Sequence, residues 1–453
     1  MHLANVPAAR LFCYGRKMNT EVAALESTPQ ASASIVMRWY VLIVMCLVYT
    51  VSIADRYVIS TVMEPIRLEL HLTDSGIAFL TGVVLSLFYV TFGIPLSLLA
   101  DRVNRRNLIA ISLVVWSAMT VLCGRAASYW QLLLPRIGVG IGEAGGTPSA
   151  TSLLADYFPP LRRPMALTIF SLGAPIGAWV GADLAGRIAD AHGWRAVFLA
   201  LGIPGVVFGA FVFLTIREPR RGQLDECAST EKPALMETLR YLWRQQSAVH
   251  LMLGSAVTAL WGWGLVWWIT TFLVRNYGLT AGAAGQITGP IHLIAGIGAT
   301  VFTGWLLGLP SMHSPRRIMY LMGGIIGLAT IPSIIMIYTD SLSLVKAMLW
   351  IFIPAIYFYI GPCFGVLNNL APCRMRAQYC AVTLLVANVG NLIIAPQAVG
   401  LLSDFFAPEH HANAASLRMA LLCLAPTGFW SAFHYFWASR TIVDDQARAV
   451  GVV

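Results

Sequence analysis

Four charged residues sit where apolar sequence should not contain any. Residues 52–60 read SIADRYVIS, and Asp55 and Arg56 interrupt a stretch that is otherwise apolar from Trp39 to Met63. A second pair, Arg136 and Glu143, lies in LLLPRIGVGIGEAGGTPSATSLLADYF, residues 132–158. Seven residues separate them, nearly two turns at about 3.6 residues per turn, so one helix face carries both, roughly 10 Å apart. In hydrocarbon each charge costs at least about 2.5–3.5 kcal/mol unless it is paired or wet. Two carboxylates beside two guanidiniums can handle protons, because burial and a neighbouring Arg push a carboxyl's proton affinity in opposite directions. Any motion of Arg56 or Arg136 relative to Asp55 or Glu143 would then load or release a proton. Glu143, the deeper acid and flanked by Gly142, Gly145 and Gly146, is the expected main carrier, with Asp55 second. Two plainer readings compete. The pairs Asp55–Arg136 or Arg56–Glu143 could serve only to fix helix register, or the first span could end at Ala54 and leave Asp55 and Arg56 at the interface. Against the latter, Trp39 to Ala54 is shorter than the ~17 residues that spanning requires.

The elements that must position these charges are membrane helices. Of 453 residues, 57% are hydrophobic and 11% charged, where soluble domains carry about a quarter of their residues as charges. Apolar runs suited to a bilayer predict twelve spans, near 39–63, 76–100, 107–124, 131–155, 165–186, 195–216, 249–274, 285–308, 317–338, 343–369, 378–402 and 415–438. The expected fold is an all-α polytopic membrane protein of twelve transmembrane helices in two six-helix halves. A tail (1–38) precedes a first half (39–216); a linker (217–248) joins it to a second half (249–438), and a tail (439–453) follows. The net charge of +9 falls in short loops, which excludes a nucleic-acid partner and reads as topology. With both termini cytoplasmic, inner segments hold 21 Lys and Arg and outer ones seven, which satisfies the positive-inside rule. The location expected is the cell membrane, the inner one in a bacterium. The first residues lack the apolar core of a signal peptide, and either Met1 or Met18 could be the start. Eight cysteines are scattered without a CxxC, so neither a disulfide framework nor a metal site is expected, nor any cofactor.

Spans one and four run in opposite directions, and the depths of their four charges let them meet in one layer in the outer half of the bilayer. Gly140, Gly142 and Gly145 spell GxGxxG, but inside an apolar helix rather than after a strand, so helix packing through Gly138–Gly142 and Gly142–Gly146 is the better reading. Pro148 and Pro175 should bend spans four and five. Span seven, TALWGWGLVWWITTF, carries Trp261, Trp263, Trp267 and Trp268 with no charge, and span ten offers Tyr357, Tyr359 and Phe364. These aromatics either anchor the helices at interfaces or line an apolar cavity. His292, Asn388, Asn391 and Gln397 could add polar contacts there.

The loop after span two, SLLADRVNRRN, resembles the signature between the second and third helices of the major facilitator superfamily. Asp101, Arg102, Arg105 and Arg106 match its charges, while Ser97 and Asn104 replace its glycines. The resemblance implies that this loop gates the halves on the cytoplasmic side; GWLLGLPSMHSPRR, its counterpart, keeps Arg316 and Arg317 but no acid. More specifically, ADRYV, PRIGVGIGEAG, FPPLRR and REPRRG resemble the Spinster-like branch, which includes lysolipid and sphingolipid-phosphate exporters. By that resemblance Asp55, Arg56, Arg136 and Glu143 form the branch's intramembrane charge cluster. The expectation is a proton-coupled secondary transporter, not an enzyme. It would be monomeric, embedded among membrane lipids, and would move an amphipathic small molecule by alternating access. A drug exporter, or an organic-anion symporter using Arg56 and Arg136, is the alternative. A membrane lipid enzyme finds no HxxxxD, HExxH or GxSxG to work with, and a receptor would leave the buried charges without a purpose.

Overall fold

The computed structural model describes residues 34–100, 102–159, 162–221, 234–312, 314–372, 375–408 and 412–450. Asp101, Lys232 and the tail through residue 33, with Met18, lie outside the described residues. Every regular element among the described residues is helical. Ten helical stretches are long and apolar enough to cross a bilayer. The fourth and twelfth spans cross as broken helices, Tyr129–Ala144 with Gly146–Tyr157 and Ala414–Leu424 with Thr427–Val450. The chain is therefore an all-α polytopic membrane protein with twelve transmembrane segments in two six-helix halves.

The first span is one helix, Ile35–Thr61, and it runs through Asp55 and Arg56 without a break. It stops at Thr61 because Pro65 lacks the N–H that would bond to that carbonyl, and Met63–Glu69 continues as a separate short helix. The same chemistry recurs. Pro148, Pro175 and Pro362 each sit four residues beyond the end of a helical piece, after Tyr129–Ala144, Arg163–Ser171 and Leu342–Phe358. Wider turns occupy Phe79–Val83, Val180–Leu184 and Val389–Ile394, in the second, fifth and eleventh spans, where one extra residue per turn re-aims side chains.

Some ends lie beyond the apolar runs. The seventh span is Gln246–Tyr277 rather than 249–274, and the last helix reaches Val450 rather than 438. Polar caps explain the extension: Asp445 accepts from the backbone N–H and hydroxyl of Ser247, at 2.9 and 2.5 Å. Within the linker, Leu235–Arg244 forms a short helix after Pro233.

Glycines set the packing. Gly173, Gly177 and Gly181 lie on the backbone of the first span at Thr50 and Ala54, so this four-residue repeat clamps spans one and five. Gly142 sits against the Trp116 backbone, where a Cβ would meet N and Cα at 2.8 and 3.1 Å. That contact seats span four on span three. Between the halves, Gly82 meets Leu392 and Pro396, Gly285 meets Ala182, and Gly289 meets Asp183. These contacts all lie towards the end opposite the linker, called here the far face. Towards the linker face, Gly93 and Gly304 have nothing within 4 Å of a Cβ position. The halves thus touch at the far face and part towards the linker face.

Candidate functional site

The parted halves enclose a cavity of about 520 Å³, walled by the first, fifth, seventh, eighth, tenth and eleventh spans. Its wall is mostly apolar and aromatic: Tyr49 and Tyr57 from the first half, Trp263, Trp267, Tyr357, Tyr359 and Phe364 from the second. Small polar groups punctuate it, among them Ser171, Ser255, Thr300, Thr303, Asn388 and Asn391. Arg56 is the one charged side chain on the wall among the described residues.

Arg56 turns its other side to Glu143. Its Nη2 lies 2.6 Å and its Nε 2.7 Å from Glu143 Oε2, and its guanidinium stacks 4.8 Å from the centroid of Tyr89. Glu143 is 2% exposed, and its second oxygen has no hydrogen-bond partner. A small cavity of about 10 Å³ beside it is lined by Tyr49, Ser52, Trp116 and Thr147, the volume in which about one water fits. The cluster thus pairs across the first and fourth spans.

Asp55 behaves differently. It forms no ion pair with Arg56 or Arg136; both its oxygens accept from the Thr120 hydroxyl, at 3.0 and 2.9 Å. Arg136 is 1% exposed, and none of its three guanidinium nitrogens has a hydrogen-bond partner. Of the two pairings open from the sequence, then, Arg56–Glu143 is formed and Asp55–Arg136 is not. Thr120 escaped the sequence reading, since a threonine in an apolar helix carries no signal of its own.

The expected substrate contacts divide. Trp263, Trp267, Tyr357, Asn388 and Asn391 line the cavity, and Trp267 Nε1 donates to Asn391 Oδ1 at 3.0 Å. Trp261 does not reach it. It is fully buried in the second half, where it donates to Ser333 Oγ at 3.2 Å and meets Phe352 edge-on. The reason is periodicity: two residues are about 200° of helix, so Trp261 and Trp263 face opposite ways, whereas Trp263 and Trp267 share a face. His292 also stands behind the wall, its Nδ1 3.1 Å from the Tyr357 hydroxyl and its ring edge-on to Tyr57. It props two cavity aromatics. Gln397 turns to the far face, with Nε2 3.4 Å from the Ser75 carbonyl.

The far face is closed by charges to which the sequence reading gave no role, Arg67 and Arg275 counting only as outer loop residues and the acids not at all. Arg275 of the seventh span donates to Glu64 at 2.6 and 2.9 Å and to Asp74 at 2.6 and 2.7 Å. Arg67 adds two bonds to Glu64, and Ser403 one to Asp74 at 2.6 Å. Asp404 accepts from the N–H groups of Asp74 and Ser75, both at 2.9 Å, and Asp190 from Thr280 and Gly282 N–H at 2.6 and 3.0 Å. Each of these except the Arg67 pair crosses from one half to the other. Burial opposes ionisation of Glu64, but hydrogen bonds from Arg67 and Arg275 outweigh it and hold its carboxyl below the usual range.

At the linker face the described residues Arg105 and Arg106 bond within the first half and to Glu218 at the start of the linker. Arg105 is buried and binds Asp156 at 2.6 Å, Glu218 at 2.7 Å and Ser152 at 3.1 Å. Arg106 donates its N–H to Glu218 and its side chain to Asn107 and to the carbonyls of Phe213 and Ile216. Arg102 is exposed. In this conformation Arg105 and Arg106 tie spans three, four and six together, while Arg316 and Arg317 donate to the carbonyls of Ser439 and Ser311.

Comparison with known proteins gives this geometry a lineage. The family model described as Major Facilitator Superfamily matches residues 45–396. A bacterial homologue of the human lysosomal transporter Spinster, solved in an inward-facing and unoccupied conformation, superposes with a TM-score of 0.82 at 31% identity, over 91% of this chain and 99% of that one. An MFS-type efflux pump of Mycolicibacterium smegmatis is 27% identical over 90% of this chain and 95% of its own. The sphingosine-1-phosphate transporter SPNS2 of Danio rerio is 29% identical over 49% of this chain, which spans 45% of that relative's length. Twelve spans in two halves, a cavity between them and these matches make the chain a transporter rather than an enzyme: it belongs to the major facilitator superfamily, in its Spinster-like branch.

Proposed function

We propose that the chain is a proton-coupled secondary transporter for an amphipathic anion, a single-chain lipid with an acidic headgroup being the class that fits best. One observation carries the reading: Arg56 holds Glu143 with one side and faces an aromatic-walled cavity with the other. An anionic headgroup entering the cavity competes with Glu143 for the same guanidinium. A Glu143 that loses its partner in a buried site takes up a proton, so anion and proton bind together. The aromatic wall receives the hydrocarbon part, and Asn388, Asn391 and the nearby hydroxyls position polar groups. Trp261 and His292 act on the substrate only through the residues they support.

The inward-facing relative and the distribution of basic residues support a linker face that is cytoplasmic, together with both termini, so that the cavity described here opens inwards. Residues 39–216 and 249–438 are then the two rocking halves of a monomer, 217–248 their tether, and Asp101, Arg102, Arg105 and Arg106 a cytoplasmic gate that engages the second half when the far face opens. The efflux-pump relative supports a second reading, export of uncharged or cationic amphipaths, in which the substrate never meets Arg56.

The test is flux in liposomes that trap a pH dye, with lysophosphatidic acid and lysophosphatidylcholine as probes. Proton flux that depends on the phosphate monoester and disappears in Glu143→Gln and Asp55→Asn supports the coupling. Flux left unchanged by both substitutions refutes it.

A further inference from the structure

The Thr120 hydroxyl has three acceptors around it: both Asp55 oxygens, at 3.0 and 2.9 Å, and the Trp116 carbonyl one turn earlier, at 3.0 Å. It is buried, as is Asp55, and among the described residues no other group hydrogen-bonds to that carboxyl. A threonine hydroxyl has one hydrogen and two lone pairs. It cannot donate to the carboxylate and to the carbonyl at the same time, so it has two arrangements.

With Asp55 ionised, the hydrogen points at the carboxylate and makes a charge-assisted bond. With Asp55 protonated, the carboxyl O–H donates to the Thr120 oxygen, and the threonine hydrogen turns to the Trp116 carbonyl. No proton passes to the threonine; only its Cβ–Oγ bond rotates. Both protonation states therefore leave the carboxyl partnered in a site where an unpartnered polar group is expensive.

We propose that Thr120 is a positioning residue that makes Asp55 a reversible proton site instead of a fixed charge. The proposal rests on the reading of Asp55 as a proton carrier given above. The other charged or titratable groups whose fields reach this carboxyl are Arg136 and Glu143 on the fourth span, Cys123 on the third and Arg56, its neighbour, on the first. The fifth span meets the adjoining turn at Ala54 through Gly177 and Gly181. Neither arginine is bonded to Asp55, so the hydroxyl alone orients it.

Infrared difference spectra of the full chain in lipid membranes, recorded between pH steps, test this without any substrate. A protonated-carboxyl band that vanishes in Asp55→Asn assigns the group. In Thr120→Val the midpoint of that band should move up by about one pH unit, a roughly tenfold gain in proton affinity from losing the charge-assisted bond, whereas Thr120→Ser should restore the original midpoint. An Asp55 band whose midpoint and frequency are the same in Thr120→Val and wild type overturns the role of Thr120 and leaves the carrier reading intact. Absence of any titrating Asp55 band in the wild type overturns both.

Discussion

The pairing of Arg56 with Glu143 across two helices is the residue on which the rest depends. A buried ion pair contributes little net stability against its desolvation, but removing one partner strands the other and costs roughly 3–5 kcal/mol. Arg56→Ala should therefore lower the thermal midpoint markedly, because it strands the buried Glu143 carboxylate, and Glu143→Gln less, because the guanidinium it strands faces the cavity and keeps the glutamine oxygen as an acceptor. Fluorescence-monitored unfolding of detergent-solubilised protein checks this, and equal losses in the two variants would contradict it. That spans one and four bring opposite charges together, as Arg56 and Glu143 do, was legible from depth alone, because an Asp and an Arg inside an apolar run have few ways to survive. Which acid meets which base was not legible. Asp55 and Glu143 differ by whether Thr120 or Arg56 reaches them, and that is decided by side-chain rotamers and by how closely the glycines let spans three and five approach.

At the scale of elements, proline and glycine positions were readable and aromatic facing was not. Pro148 and Pro175 end helical pieces at Ala144 and Ser171 because each removes one N–H from the ladder. Trp261, by contrast, sits in a helix apolar on every side, where hydrophobicity gives no clue to which face meets the cavity. Glycine contacts give a direct test of the packing. Gly142→Ala drives a Cβ into the Trp116 backbone, 2.8 Å away, which cannot retreat as a flexible side chain would. A loss of about 1–3 kcal/mol is expected from such overpacking, read as a lower thermal midpoint. Gly93→Ala meets nothing within 4 Å and should leave the midpoint nearly unchanged in this conformation. A Gly142→Ala variant as stable as Gly93→Ala would show that spans three and four are less closely seated than described.

For the whole molecule, the far-face cluster is what ties the two halves together in this conformation. It joins Glu64 and Asp74 of the first half to Arg275, Ser403 and Asp404 of the second, residues hundreds of positions apart whose meeting no local pattern announces. Because Glu64 is held below the usual carboxylate range, its contribution is fully present above that range and is lost as pH falls through its lowered value. Acidification below the ordinary carboxylate range should thus loosen the far face, and Arg275→Ala should do so at neutral pH. Spin labels at Leu68 and Phe405, both exposed at that face, would report longer distances in each case. Unchanged distances in Arg275→Ala would remove the cluster from the gate.

The central claim is that an anionic headgroup and a proton bind together because they share Arg56. The most direct measurement is proton uptake on binding: purified protein in weakly buffered solution, a pH dye, and a pulse of lysophosphatidic acid. The account predicts uptake in the wild type, none in Glu143→Gln although the lipid still binds, and no lipid binding in Arg56→Ala. Lipid that binds the wild type without any proton uptake, or uptake that persists in Glu143→Gln, would contradict it.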